Sequence, residues 1–313
     1  MKGFFFEGYN LVTILVVIGM IAALVLLNEI TRKNRIASYL MYVALPIIIV
    51  ILIALNVVGS PSTKNWFGTV KTLSAVAGVV GFMAIRYNDR VAKSKFAIIF
   101  PVLILVINCL EAIYRDAEYF VLFSGNGFMD TSSRLWTQGG IWNILNALAG
   151  VFMILSLTGF MGIKVAKTKS QDMVWADQLW FWVIGYDLWN IAYCYNCIST
   201  RAMYSGVVLI VSCTIAEFFI LKGCWLQHRA QTLAMFGMFS LVFDYQAIPQ
   251  YGITATYNPA AWTTLSAIAL VFNIGLFAYV CYTAITKKRN ILKEELFVDS
   301  KHYKANLEAN NLI

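Results

Sequence analysis

Apolar residues in this chain run in long blocks separated by short polar segments. Nine windows read as helices: 10–28, 38–58, 66–87, 96–114, 141–163, 173–198, 203–221, 230–246 and 261–286. A bilayer crossing needs about 20 mostly apolar residues, and most of these windows supply them. The eighth is the weakest, because it starts with Gln231 and Thr232 and ends with Asp244 and Gln246; a re-entrant or tilted segment is the alternative there. The expected fold is all-α, a polytopic transmembrane helical bundle of about nine helices.

Composition sharpens this picture. Hydrophobic residues make up 60% of the 313 and charged residues only 13%, roughly half the charged share of a soluble domain. A water-soluble fold is excluded. The opening MKGFFFEGYN has no A-x-A-like cleavage site after it, so the first helix is expected to remain in the protein.

A net charge of +8 would suit nucleic-acid binding if the basic residues formed one patch. They do not. With the N-terminus outside, eighteen of the 24 Lys and Arg fall in cytoplasmic segments: Arg32 to Arg35, Arg86 to Lys95, Lys164 to Lys169, Lys222 and Arg229, and Lys287 to Lys304. Lys2, Lys64, Lys71, Arg115, Arg134 and Arg201 fall outside or near outer helix ends. The excess alternates with each crossing, as the positive-inside rule requires, so N-out and C-in is the expected orientation and nucleic acid is not an expected partner.

One transmembrane domain is expected over 1–289, with the outer segment 115–140 as a lid and 247–260 as a turn-rich loop. Residues 290–313 read as a polar cytoplasmic tail with a short helix that frays at LEANNLI. A shift of 55 residues aligns ITRKNRIASYLMYVALPIIIVILIALN with IRYNDRVAKSKFAIIFPVLILVINCLE, matching Arg35 with Arg90 and Pro46 with Pro101. The bundle therefore reads as repeated two-helix hairpins, a parallel repeat of the kind transporters use. In the second helix of each hairpin a polar group recurs: Asn56, then Asn108 and Glu111, then Asp187 and Asn190, then Asp244.

Charge inside a bilayer costs at least about 2.5–3.5 kcal/mol at the midplane, so its bearers usually face a cavity or a partner. Asp187 lies near the middle of the sixth window, with Asn190 and Cys194 on its face, and is the expected centre of a binding site. Hydrogen bonding to a neighbouring helix is the simpler role. Lys71 is placed to pair with Glu111 or Asp244 near the outer mouth, where such a pair could serve only as glue, and Glu217 sits near the cytoplasmic end of the seventh window. If they share a cavity, Glu111, Asp244, Asp187 and Glu217 form a descending acidic ladder suited to a proton or another cation.

Aromatic residues at window ends, Trp66, Trp136, Trp142 and Trp262 outside and Trp175 and Trp225 inside, fit interface belts. The run Trp180, Trp182, Tyr186, Trp189, Tyr193 and Tyr195 goes deeper; Tyr186, Trp189 and Tyr193 could line a cavity, or simply pack against other helices. Cys194 and Cys197 have the C-x-x-C spacing of a redox pair, although two small apolar fillers are the plainer account. With only His228 and His302, no Walker A, no glycine fingerprint for dinucleotides and no G-x-S-x-G, most enzyme classes are excluded, and neither a metal nor a cofactor is expected.

The segment GYDLWNIAYCYNC, followed by CTIAEFFILKGCWLQHRAQTLAMF, resembles a family of bacterial multi-pass inner-membrane proteins of unknown function. The resemblance covers most of the chain and implies a bacterial plasma membrane; it carries over no activity, ligand or site. Together these readings predict a transporter or channel that moves a small solute or cation through a polar cavity centred on Asp187, with the lipid bilayer as its surroundings. Self-association into a homo-oligomer is left open. The alternatives are a thiol-disulfide oxidoreductase using Cys194 and Cys197, and a membrane scaffold or receptor.

Overall fold

The computed structural model describes residues 3–64 and 66–313, leaving out the side chains of Trp66 and Phe67. The belt position expected at Trp66 and the outer charge expected at Lys2 therefore lie outside the described residues. The chain is mostly helical. We number its main helices α1 (Leu11–Lys33), α2 (Arg35–Ala54), α3 (Trp66–Tyr87), α4 (Lys95–Phe123), α5 (Ile141–Leu155), α6 (Trp180–Cys197), α7 (Ser199–Ile220), α8 (Trp225–Val242), α9 (Pro259–Lys287) and α10 (Lys301–Glu308). Six of them, α1, α2, α4, α7, α9 and the Gly68–Tyr87 stretch of α3, are long and apolar enough to cross a membrane.

Local chemistry explains the boundaries. Asn10 caps α1 by accepting from Thr13 N, while Thr13 Oγ1 accepts in return from Asn10 N. Asn34 breaks α1 from α2 with an extended backbone and caps the new helix at Ile36 N and Ala37 N. Within α2 a π turn over Leu40–Ala44 directly precedes Pro46, whose ring cannot donate the regular hydrogen bond. Asn258 caps α9, and Pro259 occupies its first turn, where the missing N–H goes unused.

Four windows differ most from the expected spans. The fourth helix continues through Arg115 and Asp116 to Phe123, so the first part of the expected lid is helical; the rest is a hairpin of β2 (Phe128–Asp130) and β3 (Leu135–Thr137). In its turn, the hydroxyls of Ser133 and Ser132 hold the Asp130 carboxyl below the usual carboxylate range. The fifth helix stops at Leu155. Four residues on, Gly159 takes a left-handed φ of 65°, and a Cβ there would lie 2.4 Å from the Asp177 carboxylate. The sixth starts only at Trp180, because Met173–Val174 (β5) instead pairs antiparallel with Lys164–Val165 (β4). The eighth window holds an unbroken helix from Trp225, with Asp244 and Gln246 past its end.

The connecting segments gather at two ends. At the first, β1 (Phe6–Glu7) pairs with β6 (Thr254–Ala255), Ser60 N donates to Leu241 O, and Arg201 donates to Ser62, Ser133 and Gln246. At the second, the 156–179 segment meets α1, α3, α8 and the C-terminal tail. The tail does not fray. Leu296, Phe297 and Leu307 are buried, Asp177 accepts from Leu296 N and Phe297 N, and Asn310 donates to Lys222 O and Asn306 O. Between the ends, α1, α2, α4 and α9 present apolar side chains outward, among them Leu15, Ile48, Leu103 and Val271, a continuous surface unlike that of a water-exposed protein.

Helices α6 and α8, the more polar ones, lie inside this ring and pack on most of the others. Several tryptophans expected at interfaces are core instead: Trp142 stacks on Trp262 at 4.8 Å, and Trp175 and Trp225 are fully buried, because the loops and tail cover them. Trp136 at the first end stacks on Tyr257.

The densest polar junction lies at the second end. Fully buried Asp172 accepts from Arg32 Nη1 at 2.8 Å, Gln227 Nε2 at 2.7 Å and Ser170 Oγ at 2.5 Å, with Arg86 Nη2 at 3.5 Å. Replacing Asp172 with Asn leaves the buried Arg86 guanidinium without a carboxylate and Arg32 with Glu29 alone. The variant is expected to lose about 3–5 kcal/mol of stability, read as a lowered midpoint of thermal unfolding in detergent.

Candidate functional site

Four helices line one partly open cavity of about 50 Å³. Each contributes one helical stripe. From α3 come Lys71, Ala75, Gly78 and Phe82; from α4, Ile104, Leu105, Asn108 and Ala112; from α6, Tyr186, Trp189, Asn190 and Tyr193; from α8, Leu226, Arg229, Ala230 and Leu233. Lys71 and Phe82 are eleven residues apart on α3, so the cavity extends about 16 Å along the helix axis at 1.5 Å per residue. Its volume holds a few waters or a solute of a few heavy atoms.

Lys71 Nζ donates to Asn108 O at 2.8 Å and to Glu111 Oε2 at 3.1 Å. Its charge is thereby matched. Arg229 is different: it is 5% exposed, Nε donates to Tyr186 Oη at 3.3 Å, and Nη2 lies 3.5 Å from Asn190 Oδ1. Its guanidinium also lies 5.8 Å from the Tyr186 ring centroid. Among the described residues no carboxylate is within ion-pair distance of it, and its Nη1 has no partner. Asn108 donates to Ile104 O, which leaves its Oδ1 without a partner as well.

The aromatic wall belongs to α6. Trp182 stacks on Tyr186 at 5.8 Å, Tyr186 meets Trp189 edge-on at 5.4 Å, and Trp189 stacks on Tyr193 at 6.3 Å. Trp180, at the start of the same helix, is half exposed and lies outside this ladder.

The acids expected to form a ladder sit elsewhere, each with its own partner. Asp187, one residue along from Tyr186, is turned away from the lining and accepts from Thr214 Oγ1 on α7 at 2.7 Å. Glu111 belongs to Lys71. Asp244 pairs with Arg134 at 2.8 Å at the exposed first end. Glu217 accepts from Gly223 N and Cys224 N, closing the loop between α7 and α8. Asn56 lies in the exposed turn after α2, with a φ of 56°. So the structure brings Asn190, Asn108, Lys71, Tyr186, Trp189 and Tyr193 together and leaves the other expected residues apart.

Cys194 and Cys197 are free, buried thiols: Cys194 Sγ donates to Ser205 O, whereas Cys197 Sγ lies 3.4 Å from Asp116 Oδ1. Asp116 is a second residue the sequence does not single out. It is fully buried inside α4 and accepts from Asn143 at 2.8 Å, Asn146 at 2.7 Å and Asn196 at 3.5 Å. Arg229 is the other. On charge alone it reads as part of a loop; the signal in the sequence was the polar run Gln227, His228, Arg229, Gln231 and Thr232, continuous with an apolar helix and uninterrupted by Gly or Pro.

A helical bundle with an apolar exterior, six of whose helices are long and apolar enough to cross a membrane, defines the class: it is compatible with a membrane protein. The chain belongs to the family described as "Family of unknown function (DUF5692)", whose model matches residues 7–309. No curated protein and no solved structure matches it.

Trp189 reaches its place through Gly150 on α5, where a Cβ would lie 2.6 Å from Trp189 Nε1 and 2.7 Å from Ile113 Cγ1. Gly150→Ala is therefore expected to push the indole toward the cavity and destabilise the protein by about 1–3 kcal/mol, measured by thermal unfolding.

Proposed function

We propose that this is an integral membrane protein that takes a small solute into the α3, α4, α6 and α8 cavity and moves it across the bilayer. The observation that carries this reading is the convergence of unmatched polar groups. Arg229 Nη1 and Asn108 Oδ1 are buried without partners on residues that line one space. Orphaned polar atoms in a hydrocarbon surround are costly, and a bound solute or its waters would satisfy both. Asn190, Asn108, Lys71 and Arg229 are the proposed binding groups, while Tyr186, Trp189 and Tyr193 form the wall. Asp187 with Thr214 stands behind α6, and Asp244 with Arg134 marks the first end.

The clustering of loops at two ends supports nine crossings, in which α5, α6 and α8 also traverse. In that arrangement the second end holds most of the Lys and Arg and faces the cytoplasm, so the N-terminus is outside and the C-terminus inside. A plasma membrane is the proposed location.

Ala230 lines the cavity and is replaced by Trp to fill it. Purified protein in proteoliposomes is assayed by stopped-flow light scattering with urea, sodium formate and tetramethylammonium gluconate. The wild type is expected to raise the permeability of at least one of these, and Ala230→Trp to reduce that flux at least tenfold while folding normally. Wild-type vesicles as tight as empty ones for all three, or a variant as permeable as the wild type, would defeat the reading.

A further inference from the structure

Arg229 raises a question of charge balance that the polar cavity alone does not answer. Resting on the reading of the cavity as the solute site, we propose that its solute is a small monovalent oxyanion, planar like a short carboxylate or nitrate, held by the Arg229 guanidinium.

The first argument is a charge count. Two cations line the cavity, and Glu111 neutralises Lys71 at 3.1 Å. Arg229 meets only neutral acceptors, the Tyr186 hydroxyl and the Asn190 amide oxygen. The carboxylates on the surrounding helices lie outside the lining: Asp187 accepts from Thr214 on α7 through Oδ2 while its Oδ1 has no partner, and Asp116 is held by three asparagine amides. No carboxylate lines the cavity among the described residues. With Glu111 set against Lys71, the lining therefore carries one net positive charge. A cationic solute would be repelled, and a neutral one would leave a guanidinium buried without a counter-ion; a single negative charge closes the balance.

The second argument is shape. The guanidinium uses Nε on Tyr186, shares Nη2 weakly with Asn190, and keeps Nη1 entirely free. What remains is the planar fork that matches two oxygens of a carboxylate or nitrate, which a lysine ammonium would not match. Asn190 and Tyr186 hold the fork in place from α6. The remaining wall near Arg229 is apolar, formed by Leu226, Leu233 and Phe82, so the part of the anion away from its oxygens is small and unsubstituted by charge. Asn108 Oδ1, an acceptor, is left for a water or a hydroxyl. The cavity volume of about 50 Å³ limits the solute to a few heavy atoms.

The test uses the full chain in lipid nanodiscs, titrated with sodium formate and, separately, sodium nitrate against a gluconate background of equal ionic strength. The thermal midpoint is expected to rise saturably with either anion. In Arg229→Gln the apparent affinity is expected to fall at least tenfold, with partial recovery in Arg229→Lys. Saturable stabilisation by tetramethylammonium in place of the anions, or formate and nitrate titrations unchanged in Arg229→Gln, would overturn the proposal. If Arg229→Gln fails to fold, the preference of the wild type between formate and tetramethylammonium decides. Binding or flux of urea alone would sink the anion while keeping the solute cavity; no binding of any probe, together with tight vesicles, would sink both.

Discussion

The carboxylate of Asp172 is the junction on which the cavity depends. It lies fully buried in a loop, and a buried charge in that position must be matched by other parts of the chain. Arg32 brings the end of α1, Arg86 the end of α3, and Gln227 the start of α8. Arg86 follows Phe82 by four residues on the α3 stripe that lines the cavity, and Gln227 precedes Arg229 by two. The junction thus fixes the axial position of two cavity walls, α3 and α8. Farther along the same pair, a Cβ on Gly237 would come within 2.7 Å of Thr72 Oγ1, so the two helices stay in close contact toward the first end.

With those walls held, the remaining chemistry is a matter of which charges are satisfied locally. Glu217 is consumed by two backbone amides, Asp116 by three asparagines, Asp187 by one threonine, and Asp244 by an arginine at the surface. Enclosed polar groups in a protein of this kind pair at short range because neither water nor lipid will serve them. Within the cavity Arg229 is the exception, as its neighbours supply neutral acceptors only, a pattern that Arg201 shares outside the cavity at the first end. That exception, rather than the number of polar residues in the bundle, gives the cavity its character.

The aromatic ladder of α6 follows from the same constraint. Four rings at intervals of three or four residues build one rigid face, and the other side of the helix carries Asp187 toward α7. Adjacent positions on a helix are about 100° apart, so Tyr186 and Asp187 look into different surroundings. Asn190 lies on the border, which is why it belongs both to the face predicted for Asp187 and to the cavity.

Apolar block length was enough to reveal a helical membrane-type bundle, since hydrocarbon demands uninterrupted helices; that Asn10, Asn34 and Asn258 cap three of them came from the structure. The rule that polar residues within apolar windows are meaningful also pointed to Asn108, Lys71 and Asn190, which line one cavity. It gave depth along a helix but no direction around it, and so Asp187 looked central. Arg229 resembled a loop charge because a basic residue near the start of a helix reads the same in sequence whether it faces water or the interior. Only the tertiary structure decided between them, by folding the 156–179 loop and the C-terminal tail over that end, removing water and leaving Arg229 enclosed with Tyr186 and Asn190.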